Sequence, residues 1–153
     1  MTGSGPTEMK LLAAKLHGAD AELKKNLRRE FRHAAAPVVA AVKTSIASAP
    51  SHHDGTLRRE IARTVSARSS IRKTGVALDV VSAGSRMPAG KTNLAAYTDR
   101  ARGWRHPVYG HWRSRVPPQT LKPGWFEDPV IAQGRTLQHA CEQAMDDTAR
   151  KLG

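Results

Sequence analysis

From Leu12 to Ile46 the apolar side chains recur at spacings of three and four: Leu12, Leu16, Ala19, Leu23, Leu27, Phe31, Ala34 or Ala35, Val38, Val42 and Ile46. That is the period of an amphipathic α-helix, and Lys24, Lys25, Arg28, Arg29 and Arg32 fall mainly on its opposite face. At about 1.5 Å per residue, a helix from Lys10 to Ser48 spans roughly 58 Å. Pro37 has no backbone N–H and crowds the preceding turn, so a kink or short break is expected near His33 to Ala36. Ala49-Pro50 closes the helix. A chain of 153 residues offers little surface to cover so long an apolar stripe, which points to an oligomer.

Beyond Pro50 the pattern changes twice. Ser51-His52-His53-Asp54-Gly55-Thr56 is turn chemistry, with Thr56 placed to cap a short helix through Leu57, Glu60 and Ile61. The period then becomes two: Val65, Ala67, Ser69 and Ile71 alternate with polar neighbours, and Val76, Leu78 and Val80 resume the pattern after Arg72-Lys73-Thr74-Gly75. Two such runs around a short turn predict a β-hairpin, ended by Ala83-Gly84-Ser85. Residues 84–126 show neither period and read as an ordered, aromatic-pinned loop, with a brief helix or strand at Asn93 to Tyr97. From Glu127 a second amphipathic helix is expected, with Asp128 as N-cap and Pro129 as first residue. Its stripe is Val130, Gly134, Leu137, Cys141, Ala144, Thr148 and Leu152. The expected fold class is α+β: long N-terminal helix, hairpin-based antiparallel sheet, long loop, C-terminal helix. We read residues 1–153 as one domain, with residues 1–8 a loose terminus.

Charge separates the loop from the rest. The chain holds 25 Lys and Arg against 13 Asp and Glu, and residues 84–126 alone carry eight of the basic and one of the acidic residues. The same stretch contains all three Trp, both Tyr and five of nine Pro. Its length and charge suit an acidic partner surface or nucleic acid. The longest apolar run, Val38 to Val42, falls far short of the roughly 20 residues of a membrane span. Met1 to Glu8, MTGSGPTE, lacks the charged-then-apolar pattern of a secretory leader. One cysteine, Cys141, excludes an intramolecular disulfide framework and a cysteine-rich zinc site.

Catalytic patterns are weak throughout. His52-His53-Asp54, His106 and His111 lack helical ligand spacing, and His139 and Cys141, two apart, diverge on a helix. Cys141 lies on the apolar stripe and is expected to be buried with its ionisation suppressed. There is no nucleophile elbow, phosphate-binding loop or dinucleotide fingerprint. The expectation is a non-enzyme without metal or cofactor. Nucleic-acid binding is the alternative: Arg100, Arg102, Arg105, Arg113 and Arg115 interleave with Trp104, Tyr109 and Trp112, supplying phosphate contacts and stacking surfaces. The aromatic residues Trp104, Tyr109, Trp112, Trp125 and Phe126 fit core anchors that pin the loop somewhat better than a partner-binding patch.

The run Trp104-Arg105-His106-Pro107-Val108-Tyr109-Gly110-His111-Trp112, then Gln119, then Lys122-Pro123-Gly124-Trp125-Phe126, resembles the arrangement R-H-P-V-[FY]-G, W, Q, P-G-W-F of a family of phage neck proteins. These are the head-to-tail connector, tail-completion or tail-terminator-like proteins of long-tailed double-stranded DNA phages. The specific signature is confined to residues 104–126, and the layout of helix, turn, hairpin, loop and helix extends the resemblance over most of the chain. Pro50, Gly55 and Leu57 match the family's turn, while His52-His53 departs from it. The resemblance implies a structural virion protein of the neck, assembled in the host cytoplasm into a ring, sixfold with twelvefold as the alternative. Its neighbours would be head-closure and tail-tube proteins. Trp104, Arg105, His106, Pro107, Tyr109, Trp112, Gln119, Pro123, Gly124, Trp125 and Phe126 would anchor the loop or a partner. Arg100, Arg102, Arg113 and Arg115 would touch DNA or an acidic partner. The runner-up reading is a basic nucleic-acid-binding accessory protein.

Overall fold

A computed structural model describes residues 6–50, 55–102 and 121–151. The chain is α+β, with an antiparallel pair of strands among its helices. Helix α1 spans Pro6–Gly18, α2 Ala21–Ala47 and α3 Thr56–Thr64. Strands β1 (Val65–Arg72) and β2 (Gly75–Ser82) follow, joined by the Lys73-Thr74 turn, as the alternation predicts. A 3-10 turn at Gly84–Arg86 leads to α4 (Leu94–Asp99), and α5 spans Glu127–Lys151.

Several boundaries differ from expectation, each for a local reason. The terminus is helical from Pro6, a residue suited to a first turn because its missing N–H has no intrahelical acceptor there. The long helix breaks not at His33–Ala36 but between Gly18 and Ala21. Asp20 starts the new helix by accepting the Leu23 N–H on Oδ1 at 2.7 Å. Pro37, exposed on α2, removes one donor and leaves the helix continuous from Ala21 to Ala47. Thr56 is not the cap of α3. That position is Gly55, left-handed at φ 75°, and the Arg58 guanidinium lies 2.6 Å from where its Cβ would stand. Helix α5 begins one residue before Asp128, so Pro129 is its third residue, still within the first turn, where a missing N–H removes no bond within the helix. The Asn93–Tyr97 segment is helical, shifted to Leu94–Asp99.

The chain forms two compact units. The first comprises residues 1–37, 67–80 and 133–153. Its core joins Leu16 and Leu27 with Phe31, Ala144 and Met145, and Leu12, Ile71, Val76, Leu78 and Cys141 pack partly buried against them. Each comes from the apolar face of its element. Thr148, buried on α5, satisfies its hydroxyl by donating to the Ala144 carbonyl at 2.7 Å.

The second unit comprises residues 38–66 and 81–132. Its buried apolar side chains are Val38, Val42, Ile46, Ala49, Ile61, Val65, Met87, Ala95 and Trp125. Thr64, also buried, donates to the Ile61 carbonyl at 2.6 Å and meets Ser82 Oγ at 2.7 Å, while its own carbonyl accepts the Ala83 N–H. These bonds fix where α3 passes into β1 and where β2 ends. The C-terminal carbonyls of α2 have no intrahelical donors, and no basic residue lies in its last turn. Arg58 Nη1 fills that need, donating to Ala47 O at 2.9 Å and Ala49 O at 2.6 Å. Lys122 Nζ adds bonds to Ser45 O at 3.1 Å and Ser48 Oγ at 2.9 Å. Both cations sit at the negative end of the helix dipole. Among the described residues no buried side-chain nitrogen or oxygen lacks a partner.

Candidate functional site

The described part of the aromatic signature forms a clamp at the two ends of the basic segment. Its first side is the end of α4. Thr98 is fully buried and its hydroxyl donates to the Ala95 carbonyl at 2.8 Å, which leaves its oxygen able to accept. The second side is Lys122-Pro123-Gly124-Trp125-Phe126. Gly124 takes the left-handed conformation, φ 73°, and the Trp125 N–H bonds the Lys122 carbonyl at 3.2 Å to close a turn.

Three hydrogen bonds join the sides. Trp125 Nε1 donates to Thr98 Oγ1 at 3.2 Å. The Gly124 N–H donates to the Asp99 carbonyl at 3.0 Å, and the Phe126 N–H to Asp99 Oδ1 at 2.9 Å. Trp125 is only 1% exposed and meets Phe126 edge to face, ring centroids 5.6 Å apart at 83°. The Asp128 N–H then bonds the Gly124 carbonyl at 3.0 Å and leads into α5. A Cβ on Gly124 would stand 2.5 Å from Asp128 Oδ2. Glycine is therefore required twice over, by its dihedral and by the carboxylate beside it. The clamp joins the chain at Asp99 to the chain at Gly124.

Trp125 is thus a core anchor of its unit, with Phe126 set edge to face against it. Pro123 is exposed beside the turn. Arg100 lies over the Tyr97 ring, 4.9 Å from its centroid, and both Arg100 and Arg102 are exposed. Trp104, Arg105, His106, Pro107, Tyr109, Trp112, Arg113, Arg115 and Gln119 lie outside the described residues, as do His52, His53 and His111. Thr98 and Asp99, half of the clamp, carry no pattern by which the sequence would have marked them.

Cys141 departs from expectation in its burial. It is partly exposed, on the α5 wall of a groove in the first unit. Desolvation, and secondarily the neighbouring Glu142 carboxylate, push its pKa above the ordinary thiol value, so the thiol is neutral near pH 7. Among the described residues no three His, Cys, Asp or Glu side chains converge as metal ligands. No described helix is long and apolar enough to cross a membrane. The chain matches no family model, no curated protein and no solved structure.

Proposed function

We propose that the protein is a structural component of a phage neck, a ring-forming head-to-tail connector or tail-completion protein that presents its basic aromatic segment to adjacent rings. The observation that carries this reading is the clamp. The Pro-Gly-Trp-Phe end of the signature in residues 104–126 is built into the fold, hydrogen-bonded to Thr98 and Asp99. Between Asp99 and Glu127 that segment contains five arginines, one lysine and no carboxylate. A connector requires such parts: a small α+β body able to pack against its own copies, and an anchored extension for acidic protein surfaces or the DNA passing through. No step of bond chemistry is required of it. The neighbours would be a head-closure protein on one side and a tail-tube protein on the other.

Electron microscopy and native mass measurement of the purified protein test the reading. Closed rings, sixfold or twelvefold, support it. A chain that remains monomeric at high concentration and binds duplex DNA with a steep salt dependence would instead favour a nucleic-acid-binding accessory protein.

A further inference from the structure

The first unit carries a groove of about 390 Å³, walled by Phe31 of α2, Val76 and Leu78 of β2, and Gly134, Leu137, Gln138, Cys141, Glu142 and Met145 of α5. Its walls are mainly apolar. Nothing lies within 4 Å of where a Cβ on Gly134 would stand, so this glycine leaves room open in the α5 wall. The lip is acidic in an otherwise basic chain. Glu142 lines the groove, and exposed Asp146 follows one turn later on the same helix face. Glu142 is held by Gln138, whose amide donates to it at 2.9 Å, and His139 stands 3.9 Å away.

The same unit carries a complementary knob. Leu12 and Leu16 of α1 turn into the core, but Leu11 is 62% exposed, a large apolar side chain left in water. Lys10, Ala14 and Lys15 around it are also exposed, giving a leucine flanked by two ammonium groups.

We propose that the groove seats α1 of a second copy of this chain, Leu11 entering between β2 and α5 while Lys10 and Lys15 meet Glu142 and Asp146. This joint rests on the ring reading above and gives it a specific contact. The knob and the groove are different surfaces, so the contact is head-to-tail: every copy offers one of each, and the series closes into a ring or runs on as a filament. The groove is larger than one leucine side chain, so Ala14 and the stem of Lys15 enter beside it. Attraction between the lysines and the acidic lip sets the orientation.

The lone cysteine makes the joint testable. Copies carrying Leu11→Cys with Cys141→Ala are mixed with unaltered copies under mild oxidation. Any disulfide between the two kinds joins separate chains, and it forms only where the Cα atoms come within about 7 Å. A cross-linked pair on a non-reducing gel is the expected result. Leu11→Asp should weaken association about tenfold or more, the factor for losing one buried leucine, while the dissociated chain, in which the side chain is exposed, melts as before. Gly134→Met fills the groove from the other side and should weaken association likewise. Oligomers that survive both substitutions without cross-linking overturn this joint and leave the ring reading standing. A chain that sediments as a monomer at every concentration overturns both. A small apolar molecule retained by the unaltered protein in native mass spectra and released by Gly134→Met would make the groove a ligand pocket and overturn the joint.

Discussion

Trp125→Ala tests the clamp where it is most heavily packed. The indole is 1% exposed, and truncating a packed Trp to Ala costs about 3–5 kcal/mol through lost transfer energy and the cavity left behind. Its hydrogen bond contributes little to that sum. Thr98 keeps its bond to the Ala95 carbonyl, so no buried polar group is orphaned when the indole goes. Set against a total stability of roughly 5–15 kcal/mol, the loss is a large fraction. At about 2–4 °C per kcal/mol for a chain of this size, it lowers the melting temperature by about 6–20 °C. Thr98→Val is the contrasting change. It keeps the volume and leaves the indole N–H buried without an acceptor, for about 1–3 kcal/mol. Urea unfolding measures both, and amide exchange locates the effect. The Gly124 and Phe126 N–H groups, bonded to Asp99, should lose protection in Trp125→Ala before the amides of α2 do. On the proposed neck role, particles assembled with this variant should be non-infectious. A Trp125→Ala protein that melts within about 2 °C of the unaltered chain would refute the anchor role. So would one that keeps its amide protection yet fails in assembly, because the indole would then be a partner contact.

Gly124→Ala should cost about 1–2 kcal/mol for the left-handed backbone alone, plus displacement of the Asp128 carboxylate. Adding Asp128→Ala should recover only the displacement, and equal urea midpoints for the single and double variants would contradict this. Arg58→Met should destabilise by about 1–3 kcal/mol, since its guanidinium serves two terminal carbonyls of α2, and Lys122→Met by about 0.5–1 kcal/mol; thermal melts decide. For Cys141, the unfolded thiol ionises near its ordinary value of 9.0 while the folded one stays protonated. The folded state therefore binds more protons above pH 9.0, and stability declines as pH rises. Cys141→Ala should decline less between pH 8 and pH 10, and parallel curves would show that the thiol is not perturbed. On the proposed neck role, chelators should leave assembled particles intact, as elemental analysis before and after treatment can check.

The elements were legible where one face of each is buried. Leu16, Leu27, Phe31, Val38, Val42 and Ile46 are buried in the register their spacing announces, and the hairpin follows its period of two. The break between α1 and α2 was not legible from that register. The spacing Leu16, Ala19, Leu23 carries the stripe across Asp20 without a change of phase, so periodicity is silent there. The local signals, Gly18 as a stop and Asp20 as a cap, competed with Pro37 and were the stronger. The clamp was half visible. Pro123-Gly124-Trp125-Phe126 stands out by composition, whereas Thr98 and Asp99 are ordinary residues made significant by contacts across 25 or more positions of chain. The caps on α2 were hidden for the same reason, since Lys122 reaches Ser45 across 77 positions. The groove was hidden differently: Gly134, Leu137 and Cys141 read as a packed stripe, and a sequence period carries no information about unfilled volume.

Charge is where a count along the chain most overstates what a partner meets. By sequence, residues 84–126 form one basic zone, but three of the cations described there serve the fold itself. Arg86 donates to Ser66 Oγ, Lys91 pairs with Glu60 at 3.2 Å, and Lys122 caps α2. Arg100 lies against Tyr97 and stays exposed, as does Arg102. The zone's single carboxylate, Asp99, accepts the Phe126 N–H and so holds the clamp with its charge. Arg100 and Arg102 are the described cations of the zone not used in this way, and Arg105, Arg113 and Arg115 lie outside the described residues. Substituting Lys91 or Lys122 should therefore lower stability while leaving the salt dependence of partner binding nearly unchanged. Substituting Arg100 or Arg102 should do the reverse, and the two sets of variants separate the fold's charges from the partner's.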